Sequence, residues 1–396
     1  MGRPDWSSWF VLLAILGCSP LPAASALSFR SLLGTRSPLV KRALPVDGDG
    51  LEIPLYKDSL GRYVASISMG NQEKVGATIQ NFSFVLSTSS PYTAVAGAKC
   101  AACISEVGSS SLYNDTISQT EVPLNNTQSL VIGDNQVKGD TISEACAFVQ
   151  RNGSLWWYPD QTVMVASESQ NFFANGAAGL IGLGRSSGKD SFIDTVFRDH
   201  AGWNTLLIGL AFEDVPATTT SSDPTGGKAA GVINLRRTDD SLYDGDIKYS
   251  QVVKPTSQEA TAAGTPSNYP SDWSLKLDSW TVNAGSTKTQ YTSGGIAIVE
   301  PYFPEIRLPQ QEAVLFYRDV NGATMMNTTD GPTWTLPCKP DVSLDVVFSG
   351  TKFTVESRYL VEGDTSQERC TGVVRGWDNP FVSSYMLGAA FAQTVY

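Results

Sequence analysis

Phe84-Val85-Leu86-Ser87-Thr88-Ser89-Ser90 is an apolar run that breaks into four consecutive hydroxyl side chains, and Ala297-Ile298-Val299-Glu300-Pro301-Tyr302-Phe303 is a second apolar run that breaks at a carboxylate and a proline. Each is followed far downstream by two apolar residues and a glycine, Leu180-Ile181-Gly182 after the first and Met386-Leu387-Gly388 after the second. Short runs rich in β-branched and aromatic residues favour strands over helices. A strand and turn that recur together with a distant partner mark an internal duplication. Two related lobes are the expectation.

From Leu51 onward the chain is a succession of short Val, Ile, Phe, Tyr and Thr runs punctuated by Gly, Pro, Asn and Asp, the pattern of an all-β protein. Strands are expected at Tyr63 to Ser68, Phe82 to Leu86 and Ala297 to Val299, with a hairpin from Val342 to Val355 turning at Ser349-Gly350. Helices are expected at Ser191 to Arg198 and Gln310 to Tyr317. Pro216 to Ala230 and Lys254 to Pro270 are poor in apolar residues and read as loops or a lobe boundary.

These elements, in this order, resemble the pepsin-like aspartic peptidases. In that family each lobe has an apolar strand ending in Asp-Thr-Gly-Ser/Thr and a later apolar-apolar-Gly strand beside it. Tyr63 to Gly70 is similar to the family's first strand and turn. Ala178-Gly179-Leu180-Ile181-Gly182-Leu183-Gly184 is similar to its Asp-Gly-Ile-Leu-Gly-Leu-Gly. Gly231 to Val253 is similar to a Gly-x-Leu strand followed by Tyr-x-Gly-x-Ile, and Leu308-Pro309 has the family's spacing after the second motif. The resemblance covers nearly everything after Leu51 and implies a bilobal pepsin-like acid protease fold, two β lobes flanking a substrate cleft. It divides the chain into an N-terminal lobe at 51–225 and a C-terminal lobe at 226–396. Because the family usually continues through further strands after Met386-Leu387-Gly388, the C-terminal lobe is expected to be truncated.

The departures fall at the chemistry. Two aspartates of the family share a proton across the lobes and hold a water, one carboxylate taking its proton while the other donates to the scissile carbonyl. The matching positions are Ser87 and Glu300. A hydroxyl is no general base at ambient pH, and the extra methylene of Glu300 displaces the remaining carboxylate, where a shift of about 1 Å can cost on the order of a hundredfold in rate. Thr88 is kept, Ser89 and Tyr302 stand where the family has glycine, and Pro301 offers neither hydroxyl nor amide donor. On the hairpin flap, Gly133 to Gly139, Ile132 stands where the family has tyrosine, so the flap is expected to lack a polar handle. The resemblance thus implies a pseudopeptidase with Thr88, Ser89, Ile132, Gly133, Pro301 and Tyr302 lining its cleft. Asp134 and Glu305 are alternative carboxylates for an unorthodox dyad.

Composition sets the compartment. A formal charge of -11 argues against nucleic acid as a partner. Arg3, the apolar run Phe10 to Gly17 and Ala24-Ser25-Ala26 read as a signal peptide over 1–26, too short for an anchor, so the mature chain is expected to be secreted, soluble and not membrane-bound. Ile15-Leu16-Gly17-Cys18 resembles a bacterial lipoprotein box, but Lys41-Arg42 reads as a dibasic site closing a short pro-segment at 27–42. Asn81, Asn114, Asn125, Asn152 and Asn327 open Asn-x-Ser/Thr sequons. Loss of Cys18 leaves five cysteines. Cys338 with Cys370 is the expected bridge. Cys100 can pair with Cys103, or either can pair with Cys146. Cys-x-x-Cys here lacks the second ligand pair of a zinc site, so it is read as structural.

Two other motifs have bland readings. Gly184-Arg185-Ser186-Ser187-Gly188 matches a nucleophile elbow, but His200, the chain's one histidine, follows too closely to complete a triad, and the motif reads as a turn. Trp156-Trp157-Tyr158 is either an exposed ligand platform or part of the first lobe's packing. No metal or other cofactor is expected. Three functions follow: a monomeric secreted binder holding an extended peptide or protein in the cleft, an acid endopeptidase with an unorthodox dyad, or a structural or inhibitory protein that works through an outer surface.

Overall fold

A computed structural model describes residues 12–13, 51–58, 60–70, 78–133, 135–151, 153–173, 177–184, 191–198, 207–213, 229–243, 245–253, 273–328, 331–363, 366–377 and 385–395. Most of the signal-peptide and pro-segment stretch, Asp134, Asn152, Arg185 to Gly188, His200, nearly all of 216–230 and all of 254–270 lie outside the described residues.

The first half contributes β1 (Leu51–Lys57), β2 (Tyr63–Met69), β3 (Gln80–Ser87), β4 (Thr93–Ala96), α1 (Ala101–Val107), β5 (Val122–Ile132), β6 (Asn135–Val149), β7 (Leu155–Gln170), β8 (Ala177–Gly182), α2 (Phe192–Arg198), β9 (Ile208–Phe212) and β10 (Gly231–Leu235). Its strands form one ten-stranded sheet in the order β9-β10-β1-β2-β3-β8-β4-β7-β6-β5, with β2 also paired to β6. Although the lobe division from sequence puts β10 beyond its boundary at 225/226, β10 is hydrogen-bonded to β1 in this first sheet.

The second half contributes β11 (Ser274–Ala284), β12 (Thr287–Thr292), β13 (Ile296–Val299), β14 (Ile306–Pro309), α3 (Gln310–Arg318), β15 (Thr324–Thr328), β16 (Gly331–Pro337), β17 (Val342–Phe348), β18 (Thr351–Val355), β19 (Val361–Glu362), β20 (Arg369–Gly372), β21 (Val374–Trp377), β22 (Tyr385–Leu387) and α4 (Ala389–Ala392). An eight-stranded sheet runs β18-β17-β11-β13-β22-β14-β21, with β12 on β11, and a four-stranded sheet runs β15-β16-β20-β19. This is the mostly β, two-lobed architecture that the resemblance implies. The β17–β18 hairpin turns at Ser349 and Gly350, both left-handed at φ 50° and 74°, the backbone of a tight two-residue hairpin turn.

The duplication is visible in the pairing. β3 lies parallel to β8, with Leu86 opposite Ile181 and Ser87 opposite Gly182. β13 lies parallel to β22, with Val299 opposite Leu387. Parallel neighbours need a long crossover, which is why the two members of each pair are so far apart in sequence. Both terminal glycines answer to close backbone approach. A Cβ on Gly182 would stand 2.4 Å from the Ser90 carbonyl oxygen, and one on Gly388 2.1 Å from that of Glu305.

Two apolar cores result. The first is not confined to its own half: Ile298, Tyr302, Phe303, Met386 and Ala389 from the second half pack into it. The ends of β3 and β13 therefore meet inside a continuous packed interior.

Candidate functional site

Ser87 ends β3 and Glu300 follows β13 directly, so the two parallel strand pairs deliver one hydroxyl and one carboxylate to the junction between the lobes. The backbone fixes both. Leu183 N–H donates to the Ser87 carbonyl at 2.7 Å, and Glu300 N–H donates to the Leu387 carbonyl at 2.9 Å. Across the junction, Ser87 Oγ donates to Glu300 Oε2 at 2.9 Å. Ser89 N–H donates to the same oxygen at 2.8 Å, and Tyr302 N–H donates to Oε1 at 2.9 Å. Thr88 Oγ1 donates to the Val299 carbonyl at 2.5 Å. Pro301 has no N–H and no hydroxyl with which to return that bond.

Ser87 and Glu300 have no solvent-exposed surface at all, and Thr88, Ser89 and Tyr302 are buried with them. Burial pushes the Glu300 carboxyl above its ordinary value, against the opposing pull of the donors from Ser89, Tyr302 and Ser87. A buried carboxylate that accepts three protein donors is a hydrogen-bonded joint.

Tyr302 occupies the space beside the joint. Its hydroxyl donates to the Phe172 carbonyl at 2.6 Å and accepts from Asn135 Nδ2 at 3.3 Å. Its ring lies 5.7 Å from that of Phe172 and 5.0 Å from that of Phe303, and the Arg62 guanidinium stands 5.9 Å from its centroid. Burial pushes the Tyr302 phenol upward, so it stays a neutral donor. Phe303 carries the flap tip: Gly133 is left-handed at φ 59°, and a Cβ there would meet Phe303 Cζ at 2.7 Å. An aromatic pair from the second half thus fills the region beneath the β5–β6 hairpin.

One expectation is corrected here. Ile132 is buried in the first core as an apolar residue, but the flap keeps a polar handle. The tight turn puts Asn135 directly opposite Ile132 in register, and its carboxamide reaches Tyr302. Asn135, Phe172 and Arg62 were not singled out from sequence, whereas Phe303 closes the second motif. Gly133-Asp134-Asn135 has the composition of a turn and could have pointed to Asn135, whereas Phe172 and Arg62 contact the site through folding alone. Glu305 is committed elsewhere, paired to Arg307 at 2.6 Å, with the Arg307 guanidinium 4.0 Å from the Phe303 ring centroid.

Away from the junction, Cys338 is bonded to Cys370 and Cys100 to Cys103, while Cys146 is a buried free thiol whose pKa is pushed up by burial. Trp156 and Tyr158 stack on Phe148 at 6.4 and 5.3 Å, so that aromatic run packs against the first lobe. Among the described residues no group of three or more His, Cys, Asp and Glu is placed to hold a metal ion. No described helix is long and apolar enough to cross a membrane.

Comparison with known proteins gives two kinds of match. The sequence profile described as Eukaryotic aspartyl protease matches residues 63–396. Among curated proteins, the chain is 25% identical over 237 residues to "Aspartic-type endopeptidase ctsD" of Aspergillus fumigatus, covering 59% of this chain and 44% of that one. It is 23% identical over 165 residues to "Probable aspartic-type endopeptidase CTSD" of Arthroderma otae, covering 41% of this chain and 42% of that one. The chain spans less than half the length of the curated relatives it matches.

Proposed function

Because the chain belongs to the eukaryotic aspartyl protease family, we propose that it is a member that does not hydrolyse peptides and whose interlobe site has become a structural joint. The observation that carries this is the Ser87 to Glu300 hydrogen bond at 2.9 Å inside a site with no exposed surface. If Ser87 and Glu300 occupy the places of the two aspartates, no second acid remains to protonate a scissile carbonyl, and Glu300 is already occupied by three protein donors. An extended peptide laid over the dyad would have to displace Tyr302, whose hydroxyl bonds to Phe172 and Asn135 hold it in place. The partner, a peptide or protein, therefore engages outside this joint.

The compartment is part of the proposal. The signal-like N-terminus and two disulfides support export to an oxidising environment.

The test is cleavage of a peptide library by the purified, demonstrably folded chain from acidic to neutral pH, with Glu300→Ala beside it. No cleavage by either is the expected result. Cleavage that peaks in acid and disappears in the variant would make Glu300 a working acid or base and overturn the proposal.

A further inference from the structure

The two sequons that matter most are those on sheet edges. β5 is the outermost strand of the ten-stranded sheet and β15 that of the four-stranded sheet. All five residues of β15 are exposed, Met325 and Met326 among them, and the first six of β5 are exposed, including Val122 and Leu124. An exposed edge carrying apolar side chains is a template for pairing with another chain. Each of these edges carries a sequon asparagine, Asn125 on β5 and Asn327 on β15, with Thr127 and Thr329 two residues further on in the sequence.

The other described sequons differ. Asn81 is exposed as well, but it lies on β3, an interior strand, and its Oδ1 accepts the Ser68 hydroxyl at 2.7 Å. Asn114 is half-buried, and its Oδ1 closes a turn on the backbone N–H and hydroxyl of Thr116. Those asparagines have structural work. Asn125 and Asn327 are exposed, and among the described residues their carboxamides make no hydrogen bond. The left-handed backbone of Asn125, φ 52°, is a local reason for asparagine there. Thr127 Oγ1 donates to Asp140 Oδ1 at 2.6 Å, whereas no such local reason applies to Asn327. Asn125 also lines a cavity of about 480 Å³ together with Lys99, Asp115, Glu121 and Asp140, a polar surface against which a sugar ring can hydrogen-bond.

We infer that Asn125 and Asn327 are the sequons that carry N-linked glycan and that these glycans cover the two apolar sheet edges. The inference rests on the secretory reading above. In the modification, Asn Nδ2 bonds to the anomeric carbon of an oligosaccharide carried on a lipid pyrophosphate. The carbon–oxygen bond to that carrier breaks, the lipid pyrophosphate leaves, and Nδ2 gives up one proton. A glycan on either strand places a bulky hydrated group where a second chain would dock.

The experiment expresses the full chain in a eukaryotic secretory host, once with its own N-terminus and once with residues 1–26 replaced by the host's leader. Peptide mapping by mass spectrometry reads occupancy at each sequon. High occupancy at Asn125 and Asn327, with Asn81 and Asn114 largely bare, is expected. Bare Asn125 and Asn327 in the leader-directed chain overturn the inference. Secretion only with the host leader overturns the secretory reading alone, because the leader-directed map still reports on the sites. Light scattering then follows the folded glycoprotein before and after enzymatic removal of its sugars, with Asn125→Gln/Asn327→Gln as a second preparation. Aggregation should rise severalfold in both. Unchanged scattering of the deglycosylated wild-type chain would refute the shielding role.

Discussion

Replacing Glu300 by alanine separates a structural carboxylate from a catalytic one by the sign of its effect on stability. The substitution removes the acceptor for Ser89 N–H, Tyr302 N–H and the Ser87 hydroxyl, in a place with no solvent contact. Each buried donor left without a partner costs about 1–3 kcal/mol. Against this stands relief from burying the carboxyl, which is what raises its pKa. The hydroxyl can turn to another acceptor and Ser89 N–H keeps its 3.2 Å bond to Ser87 Oγ, so Tyr302 N–H is the donor left stranded and a net loss of about 1–3 kcal/mol is expected. At roughly 2.1 cal/mol/K per residue, unfolding a chain of 396 residues carries about 0.8 kcal/mol/K, so the midpoint should fall by about 1–4 °C.

The pH dependence supplies a second reading of the same variant. A carboxyl whose folded pKa is raised contributes stability that is fully present below its unfolded value, 4.5 here, and lost as pH rises through the folded value. The deficit of Glu300→Ala should therefore be largest below pH 4.5 and shrink above it. Thermal unfolding of both proteins across this range is the assay. An alanine variant as stable as the parent or more so, as expected where a carboxylate is kept for catalysis at the expense of stability, would refute the structural role.

Three further outcomes are expected. Tyr302→Ala deletes a buried aromatic side chain and its bonds to Phe172 and Asn135, at a cost of about 3–5 kcal/mol; hydrogen exchange in the β5–β6 hairpin should quicken, and unchanged protection there would show that Tyr302 does not hold the flap. Replacing Cys338 and Cys370 by alanine opens a loop of sequence separation 32 and should cost about 3–4 kcal/mol, against about 1.5 kcal/mol for the separation-3 pair Cys100 and Cys103; equal losses in denaturant midpoints would contradict the loop-length account. Ser87→Asp puts a second carboxyl beside Glu300 but leaves Tyr302 in place, so a peptide-cleavage assay should stay at background; acid-dependent cleavage by this single variant would show that the aromatic filling is no barrier.

Much of the fold was legible because its signals are local. The Val342 to Val355 hairpin announces itself by β-branched runs on either side of Ser349-Gly350, and α3 by apolar residues at helical spacing after Leu308-Pro309. The duplicated strand and apolar-apolar-Gly pairs were legible because both halves need a glycine where backbones nearly touch. What escaped was non-local. Nothing in Phe172 or Arg62 marks them as neighbours of Tyr302, since they are brought there by the β7–β8 connection and the β1–β2 turn. Asn135 escaped for a different reason: the hairpin sets it directly opposite Ile132, so the polar side chain at the tip comes from the strand after the turn and not from the residue before the flap glycine. β10 lies beyond position 225 in the chain and yet pairs with β1, because strand pairing is not bound to sequence order.

The departures at the junction are better understood as one change than as several. On the reading proposed here, two carboxylates and two glycines have given way to a hydroxyl, a longer acid, a serine and a tyrosine. A site that cleaves peptides holds space for water and substrate. A joint that holds neither must fill that space, since each Å³ of residual void costs about 24 cal/mol. Tyr302 and Phe303 supply the volume, and Glu300 has the reach to meet Ser87 across the lobes. Pro301 stiffens the turn that presents Glu300 and Tyr302 together, and its missing donor is one the joint does not use. Side chains that share one filled volume are energetically coupled, so returning any single residue to the family's pattern should destabilise the joint without reopening the site. On the proposed reading, peptide cleavage requires both aspartates and the glycines at positions 89 and 302 to come back together.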